Sequence, residues 1–218
     1  MSTQGLIDII HSTNPENWAD RNAQAFDALF GSPAGRYRSD AKSEVVLKAP
    51  EMDPESGVRF AAYIHASNPK SGRYHGLSFV IFQSQGQPCL VGLVVGTDGL
   101  SPDEAILGRP GHARKTNAIC DWLNRRSGTG TRVAWAKQDP TRTDLSVPDD
   151  VRQEWPEYKK IFDRYGKEMY ALYRPSTDRQ STELAVAAFL DLMFQERGCE
   201  PIAAAQGNAE SIRSAWFE

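Results

Sequence analysis

The chain has 218 residues, 40% of them hydrophobic and 24% charged, with a formal net charge of −3. A chain of that size buries roughly 70% of its unfolded surface and needs no covalent staples, while the charge excludes a polycation, so any nucleic-acid role must come from a local basic patch. Cys89, Cys120 and Cys199 are widely spaced with no CxxC pair, which argues against a disulfide framework and against a zinc site.

The first residues contain neither a basic region nor a long apolar run, so no secretory signal is expected. The longest apolar stretch, 89–95, is interrupted by Gly92 and too short for a bilayer, and a cytoplasmic location is the default expectation. Leu6, Ile7, Ile9 and Ile10 predict an opening helix, and Asn14 with Pro15 then reads as the start of another. Trp18, Phe26, Leu29 and Phe30 recur near helical spacing until the Gly- and Pro-containing stretch 31–35 stops the pattern. Residues 36–57 are polar, with a short strand around 45–47 and otherwise loop. A β block follows. Residues 58–65 alternate, 68–72 is a turn cluster, 77–82 is an apolar run, 83–87 is a hairpin loop holding Gly86, and 90–95 is the return strand. The pair 77–82 and 90–95 is nearly all apolar and is expected in the centre of a sheet, covered on both faces.

Ser101, Pro102, Asp103 and Glu104 have the composition of a helix start. A longer helix is predicted over 111–124, with Ala118, Ile119, Trp122 and Leu123 on its apolar side. Arg114, Lys115 and Asn117 lie on the other side, and Arg125 and Arg126 at the negative end of the dipole. A strand at 132–137, a turn-rich loop at 139–144 and a polar helix over 151–165, interrupted at Trp155 and Pro156, come next. A strand at 168–174 is expected to place Met169, Ala171 and Tyr173 on one face, Tyr170 and Leu172 on the other. Residues 181–194 form an amphipathic helix that Gly198 terminates. The sum is an α+β domain over 1–200, with a central, mostly antiparallel sheet of about five strands flanked by helices. Residues 201–218 are a tail, a short docking helix or a linker.

Signatures of catalysis are missing from the sequence. The stretch 128–132 lacks the spacing and the lysine of a phosphate-binding loop, and no HExxH or GxSxG occurs. No cofactor or metal is expected. His65 and His75 flank one turn, but no cysteine or carboxylate joins them at ligand spacing. The stronger signal is basic: Arg109, Arg114, Lys115, Arg125, Arg126, Arg132, Lys137 and Arg142 fall in one stretch, opposed by Asp121, Asp139 and Asp144. Residues 107–115 combine a Gly/Pro-shaped loop, a helix N-terminus suited to an anion and the donors Arg109, His112, Arg114 and Lys115. Phosphate contacts are therefore expected from Arg109, His112, Arg114, Lys115, Arg125, Arg126, Lys137 and Arg142, converging on one surface. Tyr63, Tyr74 and Trp135, on or beside predicted strands, are expected to form a stacking pocket for a base.

Three stretches resemble the N-terminal domain of McrB-like AAA+ restriction GTPases. These are 71–82, with its hairpin to Gly96; 164–173, before the last helix; and the acidic apolar helix 182–194. The resemblance implies a DNA-reading module, in some members selective for modified cytosine held in an aromatic pocket, acting with separate AAA+ motor and nuclease subunits. Leu93, Val94, Val95, Gly96 and Thr97 depart from the polar ending common in those domains, which leaves the ligand open. The sequence thus supports a DNA-binding specificity module of a restriction or phage-defence system rather than an enzyme. Two alternatives stay open. One is a metal-dependent nuclease or phosphate-processing enzyme using Asp98, Asp103 and Glu104 with His112. The other is a protein-interaction domain docking through Trp216 and Phe217.

Overall fold

In a computed structural model, the apolar hairpin forms the middle of a six-stranded antiparallel sheet. The structure describes residues 3–14, 16–31, 34–50, 52, 56–69, 74–96, 110–128, 130–142 and 144–202. The strands are β1 (Val45–Lys48), β2 (Arg59–His65), β3 (Leu77–Gln83), β4 (Leu90–Val95), β5 (Ala134–Ala136) and β6 (Met169–Tyr173). They lie in the order β1-β2-β3-β4-β6-β5, each antiparallel to its neighbours. The sheet has one strand more than the sequence predicts because the short 45–47 segment does pair, from Val45 opposite His65 to Lys48 opposite Ala62. The helices are α1 (Gln4–His11), α2 (Trp18–Asp27), α3 (Pro110–Ser127), α4 (Asp149–Glu154), α5 (Lys159–Tyr165) and α6 (Arg179–Gln195). Among the described residues no helix is long and apolar enough to cross a membrane.

Alternation along each strand sends side chains to two separate cores. Ala61, Tyr63, Phe79, Ile81, Val91 and Leu93 meet α1, α2, α3 and α6 on one face. Ala62, Ile64, Val80, Phe82 and Leu90 meet α4, α5 and the 3₁₀ turn between them on the other. On the first face α6 is buried continuously from Leu184 to Phe194, and its run of Ala185, Ala187 and Ala188 lets its backbone lie close to its neighbours. Asp191, in the middle of that helix, is only 3% exposed. It accepts two hydrogen bonds from the Arg36 guanidinium, 2.8 and 2.5 Å, and one from the Tyr37 hydroxyl, 2.7 Å. A buried carboxylate survives there because it is paired with a guanidinium and hydrogen-bonded by a phenol as well.

On the second face the predicted helix is broken where the sequence places Trp155 before Pro156. A residue preceding proline avoids helical geometry, and Trp155 adopts φ −124° and ψ 57°. The break turns the indole fully inward, where its N–H donates to the Arg132 carbonyl at 3.0 Å. Ile161 and Phe162 complete this core, and burying each is worth roughly 1.5–3 kcal/mol.

The facing of β6 differs from simple alternation. Leu93 pairs with Ala171 but Val94 pairs with Met169, so Tyr170 is an extra residue in a β-bulge. Met169 and Leu172 therefore share the second face, whereas Tyr170, Ala171 and Tyr173 join the first. The bulge aims Tyr170 at α3, where its hydroxyl meets His112 Nδ1 at 2.8 Å. Cys89 and Cys120 are buried and unbridged, and burial pushes the Cys89 thiol up to about 12.

Candidate functional site

Among the described residues the cover on the second face is incomplete. Tyr158, between α4 and α5, reaches the start of β4, where its hydroxyl donates to the Pro88 carbonyl at 3.0 Å. Toward the other end of β4 the sheet surface is left as a cleft of about 290 Å³. Its floor comes from the i, i+2 rows Phe60, Ala62, Ile64 and Ser78, Val80, Phe82, with Val94 beside them. Its rim carries Tyr74, Arg164, Tyr165 and Glu168.

Three aromatic rings make one wall. Tyr165 lies 6.0 Å from Phe60 and 5.2 Å from Phe82 between centroids, and Phe60 lies 6.4 Å from Phe82. The Arg164 guanidinium sits 5.5 Å from the Tyr165 centroid, a cation–π contact at the mouth. The opposite rim depends on Gly96. A Cβ there would run into the Tyr74 carbonyl, so only glycine lets the segment before β3 cross so near the end of β4. That approach is fixed by the Gly96 N–H donating to the Gly76 carbonyl at 2.9 Å. Partial burial raises the Tyr74 phenol above its usual pKa, so it remains a neutral donor and acceptor.

Of the residues expected to stack on a base, Tyr74 alone lines this cleft. Tyr63 is fully buried on the opposite face of the sheet, against Phe26 and Phe79, at 5.1 and 5.4 Å. It is a core residue, and strand alternation is the reason: it is one position out of phase with Ala62 and Ile64. Trp135 shares the cleft's face but stands on the edge strand β5, packed beside Leu172. Phe60, Phe82, Tyr165, Ser78, Arg164 and Glu168 were not singled out in the sequence. The available signal was the single serine in the apolar run of β3.

The expected convergence of cations is also corrected. Arg109 lies outside the described residues. His112 is 7% exposed and wedged between Tyr170 and the Glu196 carboxylate, which it contacts through Nε2. Lys137 is 5% exposed, and its ammonium donates to the carbonyls of Arg142, Leu145 and Lys167 at 3.2, 2.8 and 2.6 Å. Burial lowers its pKa, against the pull of Glu168, Asp144 and Asp139. Neither side chain faces an external phosphate. Lys137 is buried because it supplies donors to three carbonyls. Arg142 is held in a two-pronged pair with Asp144, both bonds 2.7 Å. Arg132 pairs with Asp150 at 2.8 Å and Glu154 at 3.6 Å.

What remains is the outer side of α3, where Arg114, Lys115, Arg125 and Arg126 are exposed. Residues eleven apart return to the same side of a helix, so Arg114 stands over Arg125 and Lys115 over Arg126, roughly 16 Å along the axis. Because α3 packs through Ile119, Cys120 and Leu123 onto the first face, these cations lie across the sheet from the cleft.

The carboxylates Asp98, Asp103 and Glu104 are outside the described residues. His65 and His75 do approach, with ring centroids 6.1 Å apart and Ser67 between them. Among the described residues, however, no group of three or more His, Cys, Asp or Glu could hold a metal ion.

Fold and site together define an α+β domain with one closed sheet face and one face bearing an aromatic, ligand-sized cleft. No family model, curated protein or solved structure matches the chain.

Proposed function

We propose that this chain is a DNA-recognition domain that holds a single everted base in the cleft on its β2–β4 face. The observation that carries this reading is the cleft, with its apolar floor, its aromatic wall of Phe60, Phe82 and Tyr165, and its polar rim. Its volume of about 290 Å³ is near the lower end for small-molecule sites, roughly 300–1,000 Å³. A base taken out of the stack presents two π faces and a hydrogen-bonding edge, which is what such a cleft can bind. Arg164 at the mouth suits a flanking phosphate. The exposed cations of α3 supply a second positively charged surface on a chain whose net charge is −3.

The likeness to McrB-like N-terminal domains adds support from an independent direction. In this reading a modified cytosine is a candidate ligand, the motor and nuclease are separate AAA+ and nuclease subunits, and the site of action is the cytoplasm.

The test is a fluorescence-anisotropy titration of short duplexes carrying one mismatched base, repeated over a range of salt. Phosphate contacts make affinity fall steeply with salt. Tyr74→Ala should weaken binding by roughly 1–3 kcal/mol through lost stacking, without altering the urea midpoint. Affinity that stays flat with salt, or that ignores Tyr74→Ala, refutes the proposal.

A further inference from the structure

The basic residues singled out in the sequence lie at 109–142, yet the cleft borders a different basic segment. Residues 159–167 carry Lys159, Lys160, Arg164 and Lys167 against Asp163 alone, a net charge of +3 in a chain whose total is −3. All five side chains are exposed. Asp163 is already engaged, by Lys159 at 2.5 Å and by Arg152 at 2.9 Å. Among the described residues, the ammonium groups of Lys160 and Lys167 have no hydrogen bond or ion pair.

Spacings of four and three residues bring Lys160, Arg164 and Lys167 to one side of a helix. Gly166 keeps helical φ and ψ, −62° and −24°, so the turn continues past the end of α5. At a rise of roughly 1.5 Å per residue the three cations form a stripe about 10 Å long. Its middle member, Arg164, is on the rim of the cleft with Tyr165, so the stripe runs along the mouth. Lys160 lies toward the start of β2, its ammonium 3.9 Å from where a Cβ on Gly57 would stand. Lys167 adjoins Glu168, the one carboxylate among the described lining residues, at the other end. The opposite rim, at Tyr74 and Gly96, contributes no charge.

We infer, on the base-holding reading of the cleft, that Lys160, Arg164 and Lys167 carry the sugar–phosphate strand on either side of the everted base. A base seated on the cleft floor leaves its sugar and the neighbouring phosphates at the mouth. One strand of DNA advances by roughly 3.4 Å per phosphate along the helix axis, so the stripe spans about three of them. Contacts of this kind position a strand and are blind to its sequence. The exposed cations of α3 stand on the far side of the sheet, so they do not serve the same stretch of strand.

The experiment titrates the full chain with a short duplex carrying one mismatched base, by fluorescence anisotropy at several salt concentrations. Each phosphate contact contributes roughly 0.9 to the slope of log affinity against log salt. K160Q combined with K167Q should therefore lower that slope by roughly 1.8, whichever base is mismatched. R114Q combined with R126Q, on α3, should lower it by less than half as much. Both double variants replace exposed side chains and should keep the wild-type urea midpoint. An unchanged slope in the K160Q/K167Q variant overturns the inference. So does an equal or larger drop in the R114Q/R126Q variant. In either case, binding that Tyr74→Ala still weakens leaves the base-holding reading standing. Affinity of the parent chain that ignores salt, or that ignores Tyr74→Ala, overturns both.

Discussion

The two faces of the sheet are built from the same strands, yet the described elements close one and leave part of the other open. On the closed face, α1, α2, α3 and α6 pack over the sheet from Val45 on β1 to Ala134 on β5, leaving Leu47 and Ala136 partly buried at its edges. On the open face the cover is α4, α5 and a 3₁₀ turn, six, seven and three residues long. Those elements are too short to span the sheet, so the apolar rows of β2 and β3 run on beyond them and become the floor of the cleft. Apolar content alone does not separate core from site here. What separates them is how far the covering elements reach.

The faces should respond very differently to the same kind of damage. The largest effect is expected on the closed face from Asp191→Ala, which strands the buried Arg36 guanidinium without its carboxylate. Removing one member of such a pair typically costs about 3–5 kcal/mol, readable as a lowered urea midpoint. A double variant, Arg36→Met with Asp191→Leu, should recover most of that loss, because the penalty lies in the unpaired charge. If Asp191→Ala leaves stability unchanged, the ion pair is not what anchors residues 34–38 to α6.

The next comparison enlarges one alanine on each face. Ala187 on α6 is 2% exposed, inside the closed core, and Ala187→Leu should cost about 1–3 kcal/mol by overpacking. Ala62 is 3% exposed but lines the cleft, where Ala62→Leu has space to enter. Its stability should stay within about 0.5 kcal/mol of the parent, while base-dependent DNA binding disappears. Equal destabilisation by the two substitutions would mean that the cleft is packed as tightly as the core.

Much of this architecture could be read from residue pattern, and the parts that could not have physical causes. The apolar hairpin, the helices ending near Ser127 and Gln195, and the break at Pro156 follow from periodicity and from backbone-restricting residues. Central placement of β3 and β4 followed too, but full cover on both faces did not, since cover depends on the lengths of elements distant in sequence. The bulge at Tyr170 is invisible to alternation because one inserted residue leaves composition unchanged while reversing every facing before it. Tyr63 and Tyr74 look equivalent as strand aromatics, yet one is core and the other rim. Basic residues were the least legible: Lys137 and Lys115 have the same chemistry in sequence, and only tertiary contacts make the first a buried donor to three carbonyls.

The smallest contrast concerns acid stability and one exposed carboxylate on each side of the sheet. Asp178 caps α6 on the closed side, accepting from the Ser181 hydroxyl at 2.5 Å and the Gln180 N–H at 3.0 Å. The Ser181 bond is the main reason its pKa lies below 3.8, aided by the backbone N–H groups and by the positive charge of Arg126, against some desolvation. Asp163 on α5, on the open side, is held below 3.8 chiefly by Lys159, at 2.5 Å, and also by Arg152, at 2.9 Å. In both cases the unfolded chain binds the proton more readily than the folded one. Each group therefore stabilises the fold above about pH 3.8 and loses that contribution as pH falls through its lower folded value. Asp178→Asn can keep the cap while removing the titration, so it should nearly match the parent at neutral pH and flatten the acid limb of stability against pH. Asp178→Ala removes the cap as well and should cost about 1 kcal/mol even at neutral pH. Asp163→Asn breaks only exposed ion pairs, worth roughly 0–1 kcal/mol, and added salt should shrink its effect while sparing that of Asp178→Ala. Urea titrations across the acid range, with and without salt, separate the cap from the ion pair. Equal salt sensitivity of Asp178→Ala and Asp163→Asn would show that Asp178 acts through its charge near Arg126 rather than as a cap.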